Sequence, residues 1–358
     1  MKKLILFMIV LAATMFAHGQ IVPPHLEVNL SHEEITCCFE GEKEPIVCGM
    51  NRLTLGEPPA GSGTPEDPFL VVNSYNLIWI YENPLHWDKN YLQMENIDAT
   101  EPDSWFGGMG WIPLGTEENP FSGIYDGNGK VISGLKIDRY ALQYQGFIGY
   151  NNGIIKNLGI VDAHITDNGS RAGILVGLND TGFISHCFST GIIESSHDDG
   201  RIGGLVGWNN NSITHSWSSA EVHCSNGIYV GGLAGANNGG TIINCYATGN
   251  VNGLISVGGL VGVIQNSGLV ENCFASGNIL AHRLGGGLAG YSLSNSTILN
   301  CYASGRVDLD LWGGGLVGAM VSGSISNSYG LGKISSFYNH DHMLGGLLGN
   351  EEDVDITS

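Results

Sequence analysis

The chain has 358 residues, 55 of them Gly, and 14 Lys+Arg against 34 Asp+Glu, a formal net charge of −20. That balance excludes a phosphate backbone as partner, so no nucleic acid is expected; a hydrophobic content of 42% excludes a disordered chain. The glycines lack a three-residue period and come with only 11 Pro, which excludes collagen and leaves a repeat architecture.

In chain order, Lys2-Lys3, an apolar run over 4–17 and the small residues Ala17 and Gly19 read as a signal peptide over residues 1–19. Export to the cell surface or the extracellular side follows. No later stretch reaches about 18 apolar residues, so no membrane span is expected. Residues 20–60 form an acidic, Cys-containing segment in which Glu33, Glu34, Glu40, Glu42 and Glu44 lie beside Cys37, Cys38 and Cys48. This segment reads as a solvated, partly ordered leader before the folded body, with a disulfide-stapled acidic cation site as the alternative. Three thiols permit one bridge and leave one over, so the pairing among them is not specified.

Residues 61–140 read as the lead-in and cap of a solenoid. Within them, Asp126-Gly-Asn-Gly129 starts like a calcium loop but lacks the downstream Glu, and is expected to be a hairpin turn.

From 141 to 358 one phrase recurs, as in Gly203-Gly-Leu-Val-Gly207, Gly231-Gly-Leu-Ala-Gly235 and Gly258-Gly-Leu-Val-Gly262. Eight copies start at residues 145, 173, 203, 231, 258, 286, 314 and 345. A fixed period of about 28 residues with no 3.6-residue apolar pattern predicts an all-β parallel solenoid of stacked coils. Each coil advances about 4.8 Å, so the body is a rod on the order of 45 Å long. A right-handed winding is the expectation from β-helices generally. The last coil is incomplete: Ser358 stands where the next Cys-column residue belongs, which suggests a truncated frame or an end that self-associates.

A second phrase, clearest as Ile242-Ile-Asn-Cys-Tyr-Ala-Thr-Gly249, follows each first one. Its Asn column (His186, His215, Asn244, Asn272, Asn300, Asn327) is expected at left-handed corners with amides bonding from coil to coil. The Cys column (Cys187, Ser216, Cys245, Cys273, Cys301, Ser328) is expected to be an inert inward ladder, with Cys224 outside it. Alternation then turns the next column outward: Phe188, Trp217, Tyr246, Phe274, Tyr302 and Tyr329. These six aromatics form either a ligand-binding stripe about 25 Å long or a self-stacked stabilising ladder.

The stretches Gly61-Ser-Gly-Thr64, Gly110-Trp-Ile-Pro-Leu-Gly115 and Phe121-Ser-Gly-Ile-Tyr-Asp-Gly-Asn-Gly129, with the Gly-Leu-x-Gly phrases, resemble the bacterial GLUG-motif proteins over about 61–358. The resemblance implies an exported or surface β-helix. Some relatives carry the motif beside metallopeptidases that cleave immunoglobulin A, a catalytic partner that this chain lacks.

No His-Glu-x-x-His, Gly-x-Ser-x-Gly, Walker loop or Cys-x-x-Cys is present, so an enzyme is not the favoured reading. A third column, four residues before each Gly-Gly, holds His282, Asp310 and Asp341 on adjacent coils. They are a weak candidate for a divalent cation, with a polar corner as the plainer reading. No other cofactor is expected. The functional expectation is a non-catalytic exported module that binds glycans or proteins. A β-helix polysaccharide lyase or glycoside hydrolase, or a spacer of a longer surface protein, are the alternatives.

Overall fold

Glycine pairs recurring about every 28 residues let backbone approach backbone where no Cβ would fit, and this sets the shape of every coil. The computed structural model describes the strand backbones 26–30, 35–39 and 46–47, and residues 56–100, 108–139, 142–167, 169–336 and 344–357. Contacts divide the chain into residues 1–54 and 55–358.

In the first unit, Leu26–Leu30, Ile35–Phe39 and Ile46–Val47 form an antiparallel sheet in which Val28 opposes Cys37 and Cys37 opposes Ile46. The acidic segment, expected to be a solvated and partly ordered leader, contains these paired strands. The signal-peptide residues and the side chains of Cys37, Cys38 and Cys48 lie outside the described residues.

The second unit is the parallel β-solenoid. One coil runs through Tyr229–Gly231, Ala234–Asn238, Thr241–Ile243, Tyr246–Ala247 and Val251–Gly253. Each strand pairs in parallel with its counterpart one coil on: Tyr229 with Ser256, Ala234 with Val261, Thr241 with Leu269, Tyr246 with Phe274 and Val251 with Ile279. Leu205, Leu233 and Leu260 stack in one file, fully buried, with Leu205 N donating to Leu233 O and Leu233 N to Leu260 O, both at 2.9 Å. Burying each such side chain contributes roughly 1.5–3 kcal/mol. A Cβ at Gly231 would collide with the Ala234 carbonyl of its own coil, and one at Gly235 would lie 2.6 Å from the Gly207 carbonyl of the coil before. Close approach within and between coils is thus why the phrase is Gly-rich.

Two features of the lead-in differ from the sequence expectation. Helix α1 (Ser74–Glu82) interrupts the strands; Asn73 caps it by accepting from Asn76 N at 2.9 Å, and Leu77, Ile78 and Ile80 enter the common core. Its short apolar run carries no clear helical period. The Asp126–Gly129 stretch is not a hairpin turn. It lies inside the continuous strand Ile124–Ser133, where Asn128 (φ 52°) and Gly129 (φ 72°) turn a coil corner that pairs in parallel with 154–161. The Asp126 carboxylate is taken up by Asn128 N, Asn157 Nδ2 and Lys156 Nζ. Trp111, from the Trp-x-Pro-x-Gly stretch, is buried, stacks on Phe147 and donates from Nε1 to Phe147 O at 2.9 Å. At the other end, the strand Leu348–Thr357 pairs with Val317–Ser326 from Leu348 to Thr357. Ser326 opposite Thr357 sets the partner of Ser328, the Cys-column residue, two places past Thr357, one place later than the sequence spacing suggested.

Candidate functional site

Residues that alternate along each short strand separate an inner from an outer column. Cys187, Cys245, Cys273 and Cys301 are buried thiols, and Ser216 occupies the same column. Each of the four donates to the carbonyl two residues before it, as from Cys301 Sγ to Leu299 O at 3.1 Å. Burial pushes the Cys187 thiol up to about 12 and raises that of Cys273; Cys301 is raised first by its hydrogen bond with the Cys273 thiol and then by burial. Cys224 is buried beneath another corner, where added Cβ atoms at Gly200 and Gly227 would meet its sulfur.

One residue on, the side chains turn outward. Phe188, Trp217, Tyr246, Phe274, Tyr302 and Tyr329 form a continuous stack with centroid separations of 4.6, 5.6, 4.8, 5.0 and 5.6 Å. Interplanar angles never exceed 12°. The first five rings are half-buried by their neighbours, and Tyr329 at the end is 50% exposed. The geometry is a ladder, and its outer edges and flanks meet solvent. Each stacked pair contributes about 0.5–1.5 kcal/mol beyond burial.

Beside this ladder runs the corner file. His186, His215, Asn244, Asn272, Asn300 and Asn327 all have positive φ, between 46° and 56°. Asn300 Nδ2 donates to Asn272 Oδ1 at 3.0 Å, and Asn327 Nδ2 to Asn300 Oδ1 at 3.1 Å. The two histidine rings stack at 4.8 Å and 2°, and the Asn244 amide bonds His215 Nε2 at 3.1 Å. Asn and His are among the few non-Gly residues that tolerate this backbone region.

The third column is brought together only in part. His282 Nδ1 and Asp310 Oδ2 are 2.8 Å apart on adjacent coils, while Asp341 lies outside the described residues. Among the described residues, no three His, Cys, Asp or Glu side chains converge.

Two further files had escaped the sequence reading. Asn151, Asn179, Asn209 and Asn237 are fully buried, and each Nδ2 of the first three donates to the next Oδ1 at 2.8 Å. The recurring Gly-x-Asn at the end of the first four of the eight Gly-rich phrases was the available signal, in Gly149-Tyr-Asn151, Gly177-Leu-Asn179, Gly207-Trp-Asn209 and Gly235-Ala-Asn237. The other is a cation–aromatic cluster of Tyr144, Arg171, Arg201, Trp208 and Tyr229 on the outer side of the Gly turns. Its members come from positions flanking the Gly phrase, which vary in type from coil to coil, so no periodicity announced them.

The GLUG motif matches residues 226–252, 253–280 and 282–308, three consecutive coils. Halomucin of Haloquadratum walsbyi is 34% identical over 166 residues, which are 45% of this chain and 2% of halomucin. A provisionally named Gly-rich membrane protein of Evansella cellulosilytica is 35% identical over 126 residues, 33% of this chain and 14% of that protein. The likeness thus spans a small part of either relative's length. A solved structure from Bacteroides ovatus, provisionally described as an immunoglobulin A1 protease, shares the fold with a TM-score of 0.55 at 21% identity, over 83% of this chain and 86% of its own.

Proposed function

We propose that this chain, which carries GLUG-motif repeats on a parallel β-solenoid, is a non-catalytic surface or extracellular module that binds glycans or proteins along its aromatic ladder. One observation carries the reading: six rings held in one parallel stack on an outer face by the coil repeat. Their edges and end present apolar, polarisable surface about 25 Å long, the surface on which sugar rings or partner side chains pack. The coil-to-coil register preorganises the rings, so little side-chain entropy is lost on binding. The surface setting rests on the likeness to halomucin and to the Gly-rich membrane protein, both limited to part of those chains.

A soluble-glycan and mucin binding assay tests this reading. Trp217→Ala and Tyr246→Ala are each expected to weaken binding at least tenfold while the circular dichroism spectrum is retained. Unchanged binding in both folded variants reduces the ladder to a stabilising stack.

A further inference from the structure

The Gly turn brings two outward files side by side: the residue two places before the first Gly and the residue just after the last. At the N-terminal end of the repeats these files supply Tyr144, Arg171 and Arg201 on one side and Tyr150 and Trp208 on the other. The Arg171 guanidinium carbon stands 5.4 Å from the Tyr144 ring centroid and 5.2 Å from that of Trp208. Trp208 is held in turn by its Nε1, which donates to Asn210 Oδ1 at 2.6 Å, and Tyr144 by an edge-on contact with Tyr150 at 5.3 Å.

The two arginines differ in one respect. Arg201 Nη1 donates to the Asp199 carboxylate at 2.5 Å, so its charge is neutralised within the chain. Arg171 has no carboxylate at ion-pair distance among the described residues, and its Nε, like that of Arg201, is buried without a hydrogen-bond partner. Burial and the neighbouring Arg201 work against its charge, and the Tyr144 ring with the more distant Asp199 and Glu117 carboxylates offsets that cost only in part. A half-buried guanidinium with no direct ion pair, fixed between rings, is a receptor for a planar anion, because its fork of donors matches a carboxylate in two parallel hydrogen bonds. Tyr144 also walls a surface cleft with Pro113, Thr116, Glu117 and Gln143. Those polar groups suit hydroxyls: a carboxylate such as Glu117 accepts from them, and it would repel a bare polyanion.

We propose that Arg171, flanked by Tyr144 and Trp208, binds a carboxylate-bearing saccharide, with the carboxylate on the guanidinium and the sugar hydroxyls in the adjoining cleft. The site is separate from the aromatic ladder and does not depend on it. The overall charge of −20 does not forbid such a ligand, because exposed charges beyond about 8 Å are screened at physiological salt.

The test is calorimetric titration of the full chain with a monoanionic uronic acid glycoside, methyl glucuronide, and with its uncharged methyl ester. The acid is expected to bind at least tenfold more tightly than the ester. Arg171→Met keeps an apolar stem between the two rings and is expected to lose at least tenfold in affinity for the acid. Arg306→Met, an arginine ion-paired with Asp308 and outside both the ladder and this cluster, is expected to leave that affinity unchanged, which separates the Arg171 site from a general effect of positive charge. If Arg171→Met does not fold, Arg171→Lys replaces it, retaining the charge and losing the bidentate pair, with at least a threefold weakening expected. Equal affinity for acid and ester, no binding of the acid by the native chain, or full affinity in the folded Arg171 variant would each overturn the proposal.

Discussion

The solenoid stacks asparagine in two places, and the two files use the same side chain for different physical reasons. Asn151, Asn179, Asn209 and Asn237 point into the core, where the amides must satisfy one another because water is absent. Asn179 Nδ2 and Asn237 Nδ2 also donate to Gly182 O and Gly240 O, so each amide closes a turn as well. Asn244, Asn272, Asn300 and Asn327 stand outside at positive φ, where what matters is that the residue tolerates the left-handed backbone. Inside, the file stops at the fifth coil: Ile264 and Met320 hold the same register and are equally buried, with Ser292 between them. Outside, the replacement is by His at the N-terminal end. Burial confines the inner file to amides that pair with one another or to apolar groups, with the lone hydroxyl of Ser292 buried unpartnered between them, whereas the outer file is restricted only in backbone.

That difference can be broken by substitution, and the largest effect is expected inside. Asn209→Ala removes the acceptor of Asn179 Nδ2 and the donor to Asn237 Oδ1, so two buried groups lose a partner. The expected loss is about 2–5 kcal/mol in urea unfolding. Replacing Asn179, Asn209 and Asn237 together by Ile is expected to cost less than the sum of the three single changes, as the apolar coils further on already show an alternative packing. An additive result would mean that the amides act on their turns and not on each other.

Beneath the outer file, the thiols report whether that corner is sealed. The folded Cys187 value, about 12, lies above its ordinary value of 9.0. The proton is therefore held more tightly in the folded state, and the stability this provides is complete below pH 9. It is lost as pH rises from about 9 to 12, where the unfolded thiol ionises first. Cys187→Ser is expected to make the alkaline fall in stability shallower than in the native chain, read as urea midpoints at pH 8 and pH 11. An unchanged slope would show that the thiol is not desolvated.

The outer file itself should respond weakly and by backbone alone. Asn300→Ala, at φ 53°, is expected to cost about 1 kcal/mol, and Asn300→Gly only a few tenths. A larger cost for Gly would put the amide ladder, and not the backbone, in charge. The smallest change, His215→Asn, is expected to stay within about 0.5 kcal/mol.

Most of the repeat architecture was legible because it rests on periodic, one-dimensional information. The Leu205, Leu233 and Leu260 file, the inward Cys column and the outward aromatics all follow from a fixed period joined to strand alternation. The lead-in was less legible: Asp126–Gly129 carries turn residues, but whether a turn becomes a hairpin or a coil corner depends on which strand lies beside it. Helix α1 was hidden because nine residues with an apolar majority read equally well as a strand. The inner asparagines were visible as a recurrence, yet polar residues in a Gly-rich turn look like surface until the coils close over them.

By itself, then, the chain's periodicity determined that coils stack in register and which residues form vertical files, because spacing along the chain converts directly into height along a solenoid. Only the tertiary structure decided which polar files are buried and which side chains meet across a turn, such as Arg171 with Trp208. The Arg171 contact with Tyr144 joins one file on adjacent coils, but the contact with Trp208 joins different coils and different files, and its distance is set by how the backbone bends at glycine, a quantity that no repeat spacing contains.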